Sequence, residues 1–197
     1  LVEKGLAVPL SALNGLRRQV LEELSAQRSA PPQRRHGVFK PGARYENRRT
    51  PPQLNLSLRS ARQLTPELTA LKPALIYLPA HEAAAHPDLV ARTIAQGVPV
   101  GVTLPRICTD RELPQLVEQL TAARAAGAAD AMVGNLGLLE TARALGFTLR
   151  GDFGIPVFNT QAEKECKRLG LQSVTASFEL KLAQIRDLSK AVDTELI

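Results

Sequence analysis

Short apolar runs alternate with helix-periodic segments from residue 53 to the end of the chain. A glycine follows most of the helical segments, and polar residues recur where the apolar runs stop. Together these observations predict an α/β protein, a partial parallel (β/α) barrel of the TIM type with about six strand–helix units. A helix and an extended basic arm precede it. A doubly wound open sheet is the alternative, and the lack of a GxGxxG after the first strand counts against it.

Residues 9–28, PLSALNGLRRQVLEELSAQR, carry Leu13, Leu16, Val20, Leu21 and Leu24 at three- and four-residue steps, which predicts a helix with Ser11 as its N-cap. Residues 29–52 hold five Pro and two Gly without apolar periodicity, as a linker or arm does. The expected organisation is therefore a helical segment over 1–28, a Pro/Arg-rich arm over 29–52 and the barrel over 53–197.

Within the barrel, strands are expected at 53–59, 74–80, 98–105, 130–135, 147–154 and 173–180, with TELI (194–197) opening a seventh. Helices are expected at 61–71, 86–97, 111–127, 136–146, 159–170 and 182–191, and the stretch HEAAAH is read as loop. Gly97, Gly127, Gly146 and Gly170 fall where a helix end calls for the left-handed conformation.

Composition narrows the function. The chain has 197 residues, 44% hydrophobic and 22% charged, with 4% aromatics and no Trp. No run of about 18 apolar residues is present, so no membrane-spanning helix is expected. The N-terminus has neither a signal-peptide pattern nor an initiator Met, and the chain reads as a piece of a longer one. Cys108 and Cys166 are expected to be reduced structural thiols of a cytoplasmic protein. With three histidines they make no familiar four-ligand metal set, so no metal or cofactor is expected in this chain. No GxSxG, HExxH or P-loop occurs, and catalytic residues stay unassigned.

Charge is uneven. Residues 28–62 hold eight Arg and one Lys against Glu46 alone, a net +8, whereas the rest of the chain carries 16 basic and 18 acidic residues. Such a concentration fits a polyanion, and Arg34, Arg35, Arg44, Arg48 and Arg49, with Tyr45 to stack on a base, are the candidate RNA contacts. A solvated linker that pairs with acids elsewhere is the competing reading.

Parallel barrels bind ligands at the C-terminal ends of their strands. Arg59, His81, Arg106, Asn135, Asp152, Asn159, Ser177 and Glu179 are all placed there by the expected elements, and they form the candidate substrate-binding face. Capping and loop bonds explain the same residue types, and Asn159 in particular suits the N-cap of the helix that follows it.

VPLSALNGLRRQVLEEL (8–24), LPRI (104–107), VGNLG (133–137), GDFGIPVFNT (151–160) and TASFELKLAQI (175–185) occur in that order. In these stretches the chain resembles the collagenase-like peptidases of family U32, and specifically its longer members with an inserted segment. It departs from the family pattern at Pro156, where Asn is usual, and at Phe178 and Lys181, where Pro and Asn are usual. Asp152, Asn159 and Glu179 match motif positions. The resemblance implies either peptidase activity or hydroxylation of RNA bases or ubiquinone precursors, prephenate-dependent or on an iron–sulfur cluster held by four cysteines. Those cysteines follow the strand that begins here as TELI, and neither Cys108 nor Cys166 matches one. The expectation is a parent protein that supports RNA base hydroxylation, with this piece inert by itself. The alternatives are a peptidase and a module that docks RNA or protein. Expected partners are RNA through the arm, the remainder of the parent chain and a second copy through exposed sheet edges, with no membrane partner.

Overall fold

The computed structural model of the protein describes residues 7–32, 37–38, 40, 42–47 and 50–197, in two compact units, Leu1–Gly42 and Ala43–Ile197. In the first unit, α1 (Leu10–Ser29) is one continuous helix. Its N-cap is Pro9 rather than Ser11, and no side chain caps it. Among the described residues of this unit the leucine stripe of α1 is exposed.

The second unit alternates β1 (Asn55–Ser57), α2 (Pro66–Ala70), β2 (Leu75–Pro79), α3 (Ala80–Ala85), α4 (Pro87–Ala95), β3 (Val100–Thr103), α5 (Leu113–Ala125), β4 (Asp130–Val133), α6 (Leu139–Ala144), β5 (Thr148–Gly151), α7 (Thr160–Arg168), β6 (Ser173–Thr175), α8 (Leu182–Asp187) and β7 (Asp193–Glu195). The seven strands pair in sequence order, every pair parallel, as a curled partial barrel. Each strand is shorter than its apolar run, because the ends of the run leave the ladder to line loops.

Gly97, Gly127, Gly146 and Gly170 all take φ between 79° and 103° after α4, α5, α6 and α7. Where α2 ends, Lys72 takes that conformation instead, at φ 47°. The stretch from 80 to 85 is not loop. AHEAAA forms α3 directly after Pro79, since alanine is the strongest helix former and nothing in the segment competes. His81 therefore sits in a helix's first turn.

Side chains alternate across the sheet. Ile76, Leu78, Val100, Val102, Ala131, Val133, Leu149 and Val174 face outward into the core under the helices, with Val90, Leu120, Ala123, Leu139 and Cys166. Full burial of each such Val or Leu contributes about 1.5–3 kcal/mol. Glu163 on α7 lies fully buried, accepting from Ala191 N–H and the Thr194 hydroxyl, both at 3.2 Å, and so ties α7 to the approach of β7.

The opposite face of the sheet, the barrel interior, is polar where branched apolar side chains are usual. Glu195 of β7 accepts from Ser173 Oγ at 2.5 Å, Asn55 Nδ2 at 2.9 Å and the Tyr77 hydroxyl at 3.2 Å. Arg150 donates to Asp130 at 2.7 Å and to Ser173 Oγ at 3.2 Å, with Glu195 at 3.7 Å. Six strands thus meet through side chains, and Glu195 joins the last strand to the first two. Burial, reinforced by Glu195, pushes the Tyr77 hydroxyl up. Burial opposes the charge of Arg150, but its bond to Asp130 and the surrounding charges outweigh that and raise its pKa.

The arm also contributes to the barrel. Arg44, Tyr45 and Asn47 make six hydrogen bonds with residues 186–190, among them Asn47 Nδ2 to Leu188 O at 2.7 Å and Tyr45 N to Ser189 Oγ at 2.5 Å. This strap fastens residues 44–47 to the end of α8 and the segment that leads into β7.

Among the described residues no helix is long and apolar enough to cross a membrane.

Candidate functional site

Loops after β3, β4, β5 and β6 build the strand-end site, and those after β4 and β5 form its centre. These two carry glycines for a steric reason. A Cβ on Gly154 would stand 2.7 Å from Gly134 O, and one on Gly134 would stand 3.1 Å from both Asp152 Oδ2 and Arg106 Cγ. The loops touch backbone to backbone, so Gly134 and Gly154 set the spacing and Asp152 is held against the β3 loop. Asp152 accepts from Arg106 Nε at 3.0 Å. Asn135 donates to Arg106 O at 3.2 Å and, through Oδ1, accepts from Gly137 N–H.

Arg106 is fixed on two sides. Its guanidinium lies 3.7 Å from the centroid of the Phe153 ring, which meets Phe178 edge to face at 5.6 Å. Phe178 is 67% exposed and Arg106 about half exposed. The result is a guanidinium stacked on one ring with a second ring edge-on to it, open to solvent and able to receive a flat or anionic ligand.

Arg106, Asn135 and Asp152 are thus brought together, and Phe153 and Phe178 complete the site. Residue type alone did not single out these two phenylalanines, although Phe178 marks a departure from the family pattern. Asn159 caps α7, accepting from Gln161 N–H and Ala162 N–H at 2.9 and 3.0 Å. Ser177 is buried and accepts from Glu179 N–H at 3.3 Å, while Glu179 is exposed. The Arg59 side chain is exposed; its backbone N–H donates to Gln63. His81 is exposed on α3, 3.8 Å from Glu82, at the edge of a cavity of about 350 Å³ lined by Pro79, Thr103, Leu104, Pro105 and Gln119. The Ala61 N–H and the Ser60 hydroxyl hold the Glu82 carboxyl below its usual pKa.

Arg44 donates to Asp187 O at 3.0 Å in the strap, while Arg34, Arg35, Arg48 and Arg49 lie outside the described residues.

The cysteines do not fit an iron–sulfur cluster. Cys166 is buried in α7, its thiol pushed up to about 11 by burial and then by Glu163 and Glu165, so the thiolate a cluster needs is disfavoured. Cys108 sits apart on the loop after β3, and among the described residues no three His, Cys, Asp or Glu side chains gather as metal ligands.

The sequence pattern of Peptidase family U32 matches the chain over residues 82–196, from α3 through β7. The chain belongs to this family. The U32 peptidase Mk0906 has a similar structure, at 18% identity over 82% of this chain and 72% of that one, with a TM-score of 0.54, which shows the shared fold. Deoxyribose phosphate aldolase from Aeropyrum pernix is 15% identical over 64% of this chain and 62% of that one, with a TM-score of 0.48. No curated protein matches the chain. The U32 match contains Arg106, Asp152, Phe153 and Phe178, so the strand-end stack lies within the family's own domain.

Proposed function

We propose that this U32 chain holds an unpaired RNA base on the Arg106–Phe153–Phe178 stack, and that the reaction it serves in a longer parent protein is hydroxylation of that base. The stack carries the reading. Unpaired bases are held on aromatic rings and guanidinium planes, and a solvent-open set of both stands at the strand ends, where barrels bind substrates. The net charge of +6 favours a polyanionic partner. The hydroxylation branch of the family supplies the reaction class. The chain's own cysteines do not fit the cluster of that branch, so on this reading the 197 residues bind RNA without turning it over.

The test is quenching of a fluorescent base analogue in single-stranded RNA, at a salt concentration that suppresses backbone attraction. Phe178→Ala is expected to lose about 1–3 kcal/mol of base binding. Unchanged quenching in Phe178→Ala and Arg106→Gln would remove the reading. Peptide hydrolysis, favoured by the family's name, is the second reading, and cleavage of a collagen-like peptide by the chain would put it first.

A further inference from the structure

The mouth of the barrel holds a second feature beside the stack. The cavity of about 350 Å³ opens where β2 and β3 end. Pro79, Leu104 and Pro105 give it apolar walls, and His81, Thr103 and Gln119 add polar groups. Its volume is near the lower bound of small-ligand pockets, about 300–1,000 Å³, which is room for one base and its sugar. Leu104, Pro105 and Arg106 are consecutive, so cavity and stack share the loop after β3 as a wall. From that loop Arg106 turns to Asp152 after β5 and lies beside Gly134 after β4. The stack therefore stands on the β5 side of the loop and the cavity on its β2 side.

On the far side of the cavity, the loop after β1 carries Arg59 and Arg62, both exposed. Glu82 fixes this loop beside His81 on α3, accepting from Ala61 N–H at 2.7 Å and from the Ser60 hydroxyl at 3.1 Å. Its carboxylate is thereby occupied, and among the described residues no carboxylate pairs with Arg59 or Arg62. Two free cations, a cavity of nucleoside size and a guanidinium on an aromatic ring thus follow one another round the mouth in strand order.

Each part suits a nucleotide. An imidazole ring stacks on a base, and a glutamine amide, one acceptor with two donors, matches a base edge. Gln119 makes no side-chain hydrogen bond among the described residues, and His81 is exposed. Unpartnered guanidinium groups beside such a pocket follow a phosphate backbone.

We propose that this cavity seats a second unpaired base of the RNA strand whose other base lies on the stack, with Arg59 and Arg62 taking the phosphates beyond it. The proposal rests on the reading that the stack holds an unpaired base. It narrows the substrate class to a run of unpaired nucleotides, since a single base flipped from a duplex leaves its neighbours paired and unable to enter the cavity.

The experiment titrates the full chain with a fluorescent base analogue, as a mononucleotide and at the centre of an RNA pentamer. Abasic pentamers lack one flanking base at a time and keep every phosphate. Each variant is first checked for an unchanged melting transition. The mononucleotide reports the stack, so Phe178→Ala is expected to weaken it and His81→Ala/Gln119→Ala to leave it unchanged. The intact pentamer is expected to bind more tightly. Removing the flanking base on one side, or introducing His81→Ala/Gln119→Ala, should weaken pentamer binding about 5- to 150-fold, the equivalent of about 1–3 kcal/mol. Arg59→Gln/Arg62→Gln should keep the base dependence and lower the log–log salt slope by about 1.4. Abasic pentamers that bind like the intact one overturn the proposal, and so does a pentamer affinity unchanged in His81→Ala/Gln119→Ala. In either case a mononucleotide still sensitive to Phe178→Ala leaves the stack reading standing. Pentamer binding that ignores Phe178→Ala but needs the flanking base and His81 would remove the stack reading and keep the cavity's. Absence of all binding overturns both.

Discussion

Replacing Glu195 by alanine tests whether one carboxylate closes the seven-stranded barrel from inside. It accepts from Asn55, Tyr77 and Ser173 and stands 3.7 Å from Arg150. Ser173 still accepts from Arg150, but its own hydroxyl, Asn55 and Tyr77 are left as donors without the Glu195 acceptor. Each buried donor left so costs about 1–3 kcal/mol, and removing one partner of a buried ion pair costs about 3–5 kcal/mol. Arg150 keeps Asp130 at 2.7 Å, so the ion-pair part is small, and water admitted to the gap offsets some of the rest. The expected cost for Glu195→Ala is about 3 kcal/mol, a fall in Tm of about 6–12 °C for a chain of this size. Glu195→Gln keeps one acceptor and is expected to cost about half as much. Tyr77→Phe removes one donor and is expected to cost about 1 kcal/mol. Urea denaturation of the three variants and of Tyr77→Phe/Glu195→Ala measures the coupling. The double variant is expected to cost less than the sum of its singles by about 0.5–1 kcal/mol. Strict additivity, or a Glu195→Ala cost below about 0.5 kcal/mol, would refute closure by this carboxylate.

Asn159→Ala removes the cap of α7 and is expected to cost about 1 kcal/mol by the same denaturation measurement. Gly154→Ala drives a methyl into Gly134 O and is expected to destabilise the strand-end loops, weakening base binding on the stack more than it lowers Tm. Burial holds the Glu163 carboxyl above its ordinary pKa of 4.5, so the fold binds that proton more tightly than the unfolded chain. Its favourable contribution is therefore present below the unfolded value and is lost as pH rises through the folded one. A pH series of denaturation midpoints should show the unaltered chain losing stability upward from about pH 4 relative to Glu163→Gln, whose amide accepts from Ala191 and donates to Thr194.

Much of the fold was legible in the sequence. Alternation of apolar runs and helical spacing showed a parallel sheet covered by helices, because burial on both faces imposes those patterns whatever the loops do. Glycines at 97, 127, 146 and 170 marked helix ends because only a missing Cβ makes that backbone cheap. The quoted motifs showed the family. Short elements were harder to read: AHEAAA looked like loop because six residues cannot display a helical period.

The site was legible by place more than by partner. Strand ends pointed to Arg106, Asn135 and Asp152, but the ring that faces Arg106 comes from Phe153, and Phe178, 25 residues on, completes it. Asn55, Tyr77, Ser173 and Glu195 lie on strands separated by up to 140 residues, and each looks locally like an ordinary half-exposed strand polar. Only closure of the sheet turns those side chains towards one another and makes a buried network of them. Likewise, sequence located the basic arm, but only the folded chain fastens Arg44, Tyr45 and Asn47 to residues 186–190. Local chemistry determines the elements and where they stop, whereas contacts between distant strands exist only once the chain has curled and water has been excluded between them.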